Sequence, residues 1–298
     1  MDTALALKKK FDQQQITTFA EAKGYLDDSI LFYQLQEEFE LNSLNLLHRL
    51  LELIEIPFAD QYEKIQKWRD QLANTTFCGD GFSLSGKSND ILACYNAMIT
   101  YVLMRLNFPN RAHINAGVEW IIKYQNVSRG AACLWDGESI KKYGGCMKST
   151  PCYVGVVKSM QVLSLVNQHK EFSDLNVSYK LSRGLEYILD HQVYLRKSIA
   201  QPITPYLTKL TFPFSYKTNI IEILRLLKEN RKLDDPRCQL ALEYLQKKKK
   251  KFSLLSEYKK DLKEYSAIAK SKDIVTTSKK VIPFLEKNDH LFTRLKKF

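Results

Sequence analysis

The chain has 298 residues, and 45 lysines and arginines against 33 aspartates and glutamates give it a formal net charge of +12. Hydrophobic residues make up 45% of the chain, which excludes a mainly disordered protein. The 11 glycines and 8 prolines are too few for a typical sandwich, barrel or glycine-rich nucleotide-binding fold, so the composition predicts helices.

Signals for secretion or membrane insertion are missing from the sequence. Met1–Lys10 lacks the apolar core of a signal peptide, and no run of about 18 apolar residues occurs. We therefore expect a cytoplasmic protein without a transmembrane segment, whose six cysteines are mostly reduced.

Positive charge concentrates late in the chain, in lysine-rich stretches at residues 247–251, 259–260, 279–280 and 296–297. Such stretches can attract nucleic acid, a diphosphate group or an anionic membrane in peripheral contact, although their usual role is a solvated helix face. No motif of a nucleic-acid-binding fold accompanies them, so we expect no nucleic-acid partner.

The first sixty residues are weakly patterned, and we expect them to complete or cap a helical core. Within them, Ser29–Ile56 predicts one or two helices, and Asp27 and Asp28 are predicted to lie at the start of a helix. Residues 61–250 form the main repeat region. Residues 251–298 are expected to add a degenerate, lysine-rich terminal hairpin to the same structural domain.

One pattern recurs along the chain. A small or apolar residue, an apolar residue, a glutamate and an aromatic residue are followed by positions that are mostly isoleucine or leucine. The pattern occurs at Ile114–Gln125, Lys180–Gln192 and Cys238–Lys249, with a weaker copy at Tyr62–Leu72. Its apolar side chains fall on one face, which is typical of a helix that meets water on the other side.

A second type of helix precedes these copies. Ile91–Leu106 and Cys152–Val166 are apolar almost all the way round, and the more polar Asn219–Glu229 is a third candidate. A helix that is apolar on every side has to be covered on every side. The alternation therefore predicts an all-α fold of about five to six hairpins in two concentric layers, an α/α toroid. An open helical solenoid or an irregular bundle is the alternative.

The repeats resemble those of the terpenoid cyclase and protein prenyltransferase superfamily. Outer helices of that family end in glutamine, as at Gln125 and Gln192, and an Asp-Gly-aromatic turn similar to Phe77–Phe82 follows them. Thr150–Lys158 is similar to a Thr-Pro-Cys-x-x-Gly segment of bacterial squalene-cyclase-like toroid proteins of unassigned reaction. Further segments that look like this subgroup are Lys209–Pro213 and Asp234–Arg237.

The resemblance covers about Tyr62 to Lys250 and implies a central cavity that holds an isoprenoid or lipid-like substrate. Squalene-type cyclases protonate their substrate with an Asp-x-Asp-Asp motif, which this chain lacks. Asp234–Arg237 is predicted to be an inter-helix turn and not a magnesium diphosphate site. Proton-initiated cyclisation is therefore not expected.

Arg129–Cys152 carries the richest set of chemically active side chains. In a toroid this segment joins an outer helix to the next inner helix and borders the cavity. The candidate catalytic residues are Asp136, Glu138 and Cys152, with the carboxyl groups as an acid–base pair and the thiol as a nucleophile. A solvated turn is the simpler interpretation of the two carboxyl groups. The candidate ligand-binding residues are Asp90, Trp135, Tyr143, Tyr153 and Asn219.

Three thiols and one imidazole form a candidate metal site. Cys133, Cys146, Cys152 and His191 provide the ligand types of zinc or an iron–sulfur cluster. The resemblance to prenyltransferases, which bind catalytic zinc with Asp, Cys and His, implies the variant set of Asp136, Cys146 or Cys152, and His191. Paired Cys-x2-Cys spacing is missing, so buried free cysteines without a cofactor are the alternative.

The sequence leaves hypotheses from different classes. The first is a toroid that binds an apolar small molecule in its central cavity, with cyclase- or prenyltransferase-like activity if it is an enzyme. The second is a non-catalytic toroid scaffold with a structural cysteine loop and a basic tail that docks a partner. The third is a polysaccharide-active barrel of helices, for which Trp135–Glu138 is the one supporting segment.

Overall fold

The computed structural model describes residues 2–131, 133–138, 150–172, 175–209 and 217–251. Over these residues the chain forms eleven α-helices and short 3₁₀ turns, without a β-strand. The predicted all-α class is therefore confirmed. None of the helices in these ranges is long and apolar enough to cross a bilayer.

The helices are numbered here in chain order. They are α1 (Thr3–Asp12), α2 (Phe19–Asp27), α3 (Ile30–Gln34), α4 (Ser43–Leu53), α5 (Glu63–Thr76), α6 (Ala93–Arg105), α7 (Arg111–Tyr124), α8 (Tyr153–Gln168), α9 (Ser178–Asp190), α10 (Ile220–Glu229) and α11 (Gln239–Lys251). Each helix predicted from the two recurring patterns is present, with ends that differ by no more than four residues. The predicted terminal hairpin lies outside the described residues.

Asp27 and Asp28 lie at the end of a helix, so their predicted place at a helix start is wrong. Asp27 is the last residue of α2, and Asp28 caps its C-terminus. The next start is set by Ser29, whose side-chain oxygen accepts a hydrogen bond from the backbone N–H of Phe32 at 2.9 Å. Serine is a strong N-cap residue, and Ser29 directly follows Asp28. The boundary between α2 and α3 therefore lies between these two residues.

Alternate helices pack on each other. The contact between α6 and α8 is the most extensive, α4 contacts α6, and α10 contacts α8. Helices α4, α6 and α8 are each also contacted by the helix that follows in the chain. Helix α5 lies on α4, α7 lies on α6 and α9 lies on α8. Helices α4, α6, α8 and α10 therefore form a continuous row.

Small residues of the recurring pattern allow α7 to approach α6 closely and α9 to approach α8 closely. A Cβ atom at Gly117 of α7 would stand 2.3 Å from Oγ1 of Thr100 in α6. Gly184 has the same position in α9, and a Cβ there would be 2.0 Å from Sδ of Met160 in α8. The third copy has Ala241, which is fully buried. At Gly117 and Gly184 the small residue therefore marks the point where the helix touches the preceding helix.

The N-terminal helices fold against the start of α5. The carboxylate of Asp2 accepts hydrogen bonds from the hydroxyl of Ser29 at 2.5 Å and from the N–H of Leu31 at 3.1 Å, which ties the start of α1 to α3. The rings of Phe19 and Phe32 pack edge-to-face on Tyr62, just before α5. These contacts join the first sixty residues to the repeat region.

Candidate functional site

The described part of the cysteine-rich segment contributes to an aromatic cluster. The ring of Trp135 packs edge-to-face on Trp120 and Tyr124 of α7, with centroids 5.5 and 5.0 Å apart. Cys78 and Cys133 pack against the same cluster. Burial raises the pKa of both thiols above the ordinary value, so neither is an activated thiolate.

The predicted carboxyl groups lie at the surface. Asp136 and Glu138 are both exposed, and Asp90 ends a 3₁₀ turn where its carboxylate accepts a hydrogen bond from Ser85 at 2.8 Å. An acid–base pair at the first two positions depends on burial of one carboxyl group. The structure places both in solvent, as the simpler interpretation of a solvated turn requires.

Cys152 and Tyr153 begin α8, as predicted. Cys152 is the N-cap residue and is half-buried. Tyr153 is buried, its hydroxyl donates a hydrogen bond to the carbonyl of Val193, and burial raises its pKa well above the ordinary value. The phenol therefore fastens α8 to the segment after α9.

His191 caps the C-terminus of α9 and is only 7% exposed. Its Nδ1 lies 2.8 Å from the carbonyl oxygen of Leu195, and the rings of Tyr153 and Tyr187 flank it. Burial lowers its pKa, which favours a neutral imidazole with the proton on Nδ1. Nε2 is buried without a hydrogen-bond partner among the described residues.

The metal site stays a prediction. No three or more His, Cys, Asp or Glu side chains in the described parts of the chain are grouped to hold a metal ion. Of the predicted set, Cys133, Cys152 and His191 lie in those parts, whereas Cys146 lies outside the described residues, as does the predicted ligand-binding residue Tyr143.

A buried group of charges lies where α4, α6, α8 and α10 meet, and the sequence interpretation missed it. We call it the central ion network. Its members are Glu55, Lys158, Gln161, Thr218, Glu222 and Arg225.

Glu222 of α10 is the acceptor at one end of the network. One carboxylate oxygen accepts from Nζ of Lys158 at 2.5 Å and from Nε2 of Gln161 at 3.0 Å. The other accepts from the hydroxyl of Thr218 at 2.5 Å. The side chains of Lys158 and Glu222 are each 3% exposed. Asn219, a predicted ligand-binding residue, instead caps α10 by accepting from the N–H groups of Ile221 and Glu222.

A bidentate ion pair forms the other end of the network. Nη1 and Nη2 of Arg225 donate to the two carboxylate oxygens of Glu55 at 3.0 and 2.9 Å. Burial raises the pKa of Glu55, but Arg225, assisted by the charges of Lys8 and Arg105, outweighs burial and lowers the pKa to about 2. Such planar, two-bond pairs are the strongest ion pairs in proteins, and this one holds α10 to the end of α4.

The network leaves almost no space. A cavity of about 10 Å³ lies beside all of its members except Thr218, and the other lining residues are Leu51, Ile54, Met98 and Tyr101. That is room for about one water molecule, whereas small-molecule sites occupy roughly 300–1,000 Å³. This cavity is therefore too small for a small-molecule ligand.

One sequence signal could have revealed the network. Lys158 is the single charged residue in the apolar segment Cys152–Val166, and a buried lysine needs a carboxylate partner. Glu222 and Arg225 stand three residues apart in the otherwise apolar start of α10. The partners themselves could not be read from the chain, because they are 64 and 170 residues apart.

Comparisons with known proteins add no relationship to these observations. No family model, no curated protein and no solved structure matches the chain.

Proposed function

We propose that the protein is a non-catalytic helical scaffold that presents a basic surface to an acidic protein partner. In this proposal α4, α6, α8 and α10 are the inner layer of an α/α toroid, and α5, α7, α9 and α11 are the outer layer. The observation that supports a scaffold is the central ion network, which lines a cavity of only about 10 Å³ where α4, α6, α8 and α10 meet.

The charged groups of the network form two sets of contacts, one around Glu222 and one between Glu55 and Arg225. Glu222 accepts three hydrogen bonds, and both oxygens of Glu55 are bound by Arg225. A catalytic group has to reach the reacting atoms or exchange a proton with them. Buried ion pairs that are complete within the protein instead fix one arrangement of the helices, which is what a scaffold requires.

The proposed partner surface begins on α11. Arg237, just before this helix, binds Glu186 and Asp190 at 2.8 and 3.1 Å and so fastens the start of α11 to α9. Ala241 and Leu245 of α11 are buried, and the five residues at 247–251 are all lysine. With a net charge of +12 on the chain, this surface favours an acidic partner.

Binding of a fluorescent polyglutamate peptide to the full-length protein tests this proposal. We expect an affinity that falls as salt rises, and a loss of about tenfold or more when Lys247–Lys251 are changed to glutamine. A matched control removes the same charge elsewhere, at the exposed residues Lys23, Lys67, Lys87, Lys123 and Lys197.

Two results would contradict the proposal. One is equal loss of peptide binding in the lysine-run variant and in the control, because charge alone would then explain the affinity. The other is tighter binding to single-stranded RNA or to anionic vesicles than to the peptide, which would make the tail a nucleic-acid or membrane anchor.

The competing proposal is a toroid that binds an isoprenoid and has cyclase- or prenyltransferase-like activity. It requires the helices around the central ion network to separate, since the space there holds about one water molecule. Separation would break the pair between Glu55 and Arg225 or the bonds of Glu222, and an uncompensated buried charge costs about 3–5 kcal/mol. The small volume of this cavity therefore favours the scaffold.

A further inference from the structure

Three parts of the chain meet at the first turn of α8: residues 151–155, the loop after α7 and the end of α9. From the loop, Oε1 of Gln125 accepts a hydrogen bond from the hydroxyl of Ser159 in α8 at 3.1 Å. From α9, the hydroxyl of Tyr187 donates to the carbonyl oxygen of Pro151 at 3.4 Å. We call this place the α8 site and define it by the groups used below: Arg129, the backbone N–H groups of residues 153–155, Tyr187 and His191.

The first turn of α8 has no side-chain cap among the described residues. Cys152 is the N-cap residue, but its side chain makes no capping hydrogen bond to the helix. The N–H groups of residues 153–155 precede the first hydrogen bond of the helix, which runs from the N–H of Val156 to the carbonyl oxygen of Cys152 at 2.9 Å. Three such groups at the positive end of a 16-residue helix are suited to an anion.

Arg129 supplies a cation to the α8 site. It lies in the loop after α7, is exposed and forms no ion pair with a carboxylate of the described residues. Burial raises the pKa of Tyr187 and the charge of Arg129 opposes that effect. Burial lowers the pKa of His191, and the charges of Lys197 and Arg129 add to that effect. Lys197 is paired with Asp190 at 2.8 Å, so of these two described cations Arg129 is the one that a ligand can engage.

His191 determines which anion fits the site. Its side chain is 7% exposed, and its ring lies 5.5 Å from the ring of Tyr153, the first residue of α8. Nδ1 holds the proton and donates to the carbonyl oxygen of Leu195, so Nε2 is an acceptor that points away from that carbonyl. Nε2 is buried without a partner among the described residues. A buried acceptor of this kind requires a partner that donates a hydrogen bond, such as a protonated anion.

We propose that the α8 site binds inorganic phosphate as the monohydrogen dianion. Its charged oxygens accept hydrogen bonds from the N–H groups of residues 153–155 and from Arg129, and its hydroxyl donates to Nε2 of His191. Sulfate has the same charge and a similar shape but carries no proton, so it offers Nε2 only a lone pair. A phosphate monoester also loses its proton above its second pKa of about 6. This inference is independent of the proposed scaffold function, which concerns the lysines of α11.

Isothermal titration calorimetry of the full-length protein tests the proposal, at pH 8 and at an ionic strength held constant with sodium chloride. We expect one site that binds phosphate at least tenfold more tightly than sulfate or methyl phosphate. Arg129→Gln is expected to weaken phosphate binding at least tenfold, whereas Arg183→Gln, at an exposed arginine on α9, is expected to leave it unchanged. His191→Asn keeps a donor near the position of Nδ1 and removes Nε2, so it is expected to abolish the preference for phosphate over sulfate.

A further variant tests the location. Cys152→Asp places a carboxylate at the N-cap of α8, where aspartate is among the best capping residues. The carboxylate is expected to take the place of the phosphate, so binding is lost while thermal unfolding shows a protein at least as stable as the original. Absence of phosphate binding, equal affinity for phosphate and sulfate, or tight binding of methyl phosphate would each overturn the proposal. Undiminished phosphate binding in Arg129→Gln or in Cys152→Asp would do the same.

Discussion

Removal of Arg225 is expected to expose how much the central ion network contributes to stability. In Arg225→Met the carboxylate of Glu55, which is 6% exposed, loses both of its short hydrogen bonds. Breaking a buried pair from one side costs about 3–5 kcal/mol. The pKa of Glu55, lowered from 4.5 to about 2 in the folded protein, corresponds to about 3 kcal/mol by linkage, so both routes agree.

The sign of the pH dependence follows from the same pair. A carboxyl group whose pKa is lowered on folding stabilises the protein above its unfolded pKa of about 4.5 and loses that stabilisation as the pH falls toward 2. The destabilisation by Arg225→Met is therefore expected to be full at pH 7 and to shrink below pH 4.5. Urea unfolding followed by circular dichroism at several pH values measures it.

The control is a double-mutant cycle. Replacing both partners, in Glu55→Leu with Arg225→Met, removes the unpaired charge and is expected to restore most of the lost stability. Arg183→Met, at an exposed arginine on α9, is expected to change the free energy of unfolding by less than about 0.5 kcal/mol. A loss below about 1 kcal/mol in Arg225→Met, or strictly additive effects in the double variant, would refute the reasoning.

Two further predictions concern other buried positions. Glu52 is 9% exposed, one carboxylate oxygen has no hydrogen-bond partner among the described residues, and burial raises its pKa to about 7 against a weaker opposing effect of Arg49. Its protonated form is favoured in the folded state, so this contribution to stability is complete below pH 4.5 and is lost as the pH rises through 7. Glu52→Gln is therefore expected to raise the melting temperature at pH 8 but not at pH 4, and equal effects at both values would contradict this. Gly117→Ala is expected to cost about 1–3 kcal/mol in urea unfolding, because the new Cβ would stand 2.3 Å from Oγ1 of Thr100. At Gly24 no atom lies within 4 Å of the new Cβ and the backbone is helical, so Gly24→Ala is expected to raise the free energy of unfolding by up to about 1 kcal/mol. A change of the same sign in both variants would show that the contact between α7 and α6 does not determine the effect at Gly117.

The helices could be predicted from the sequence because their signals are local. Periodic apolar residues mark α7 and α9, and long apolar stretches mark α6 and α8. The small residue two positions before the glutamate marks a point of helix contact at Gly117 and Gly184. The boundary between α2 and α3 was harder to predict, because Asp28 and Ser29 are both favourable N-cap residues. The backbone conformation, which makes Asp28 the C-cap of α2 and Ser29 the N-cap of α3, decides between them.

The site could be predicted only in part, because it depends on which helices meet. The start of α8 at Cys152 and the end of α9 at His191 were correctly placed. Exposure of Asp136 and the pairing of Glu55 with Arg225 are set by tertiary packing, across up to 170 residues of chain. Local patterns carry no information about such pairs, although an isolated Lys158 in an apolar helix does signal that a partner exists.

Mass spectrometry of an organic extract of the purified full-length protein tests the scaffold account most directly. Because the cavity beside the central ion network has a volume of about 10 Å³, the scaffold account predicts less than one lipid or isoprenoid molecule per ten chains. Recovery of about one isoprenoid per chain would contradict the account. If Met98→Trp reduced this recovery and Leu165→Trp left it unchanged, the ligand would lie among these four helices.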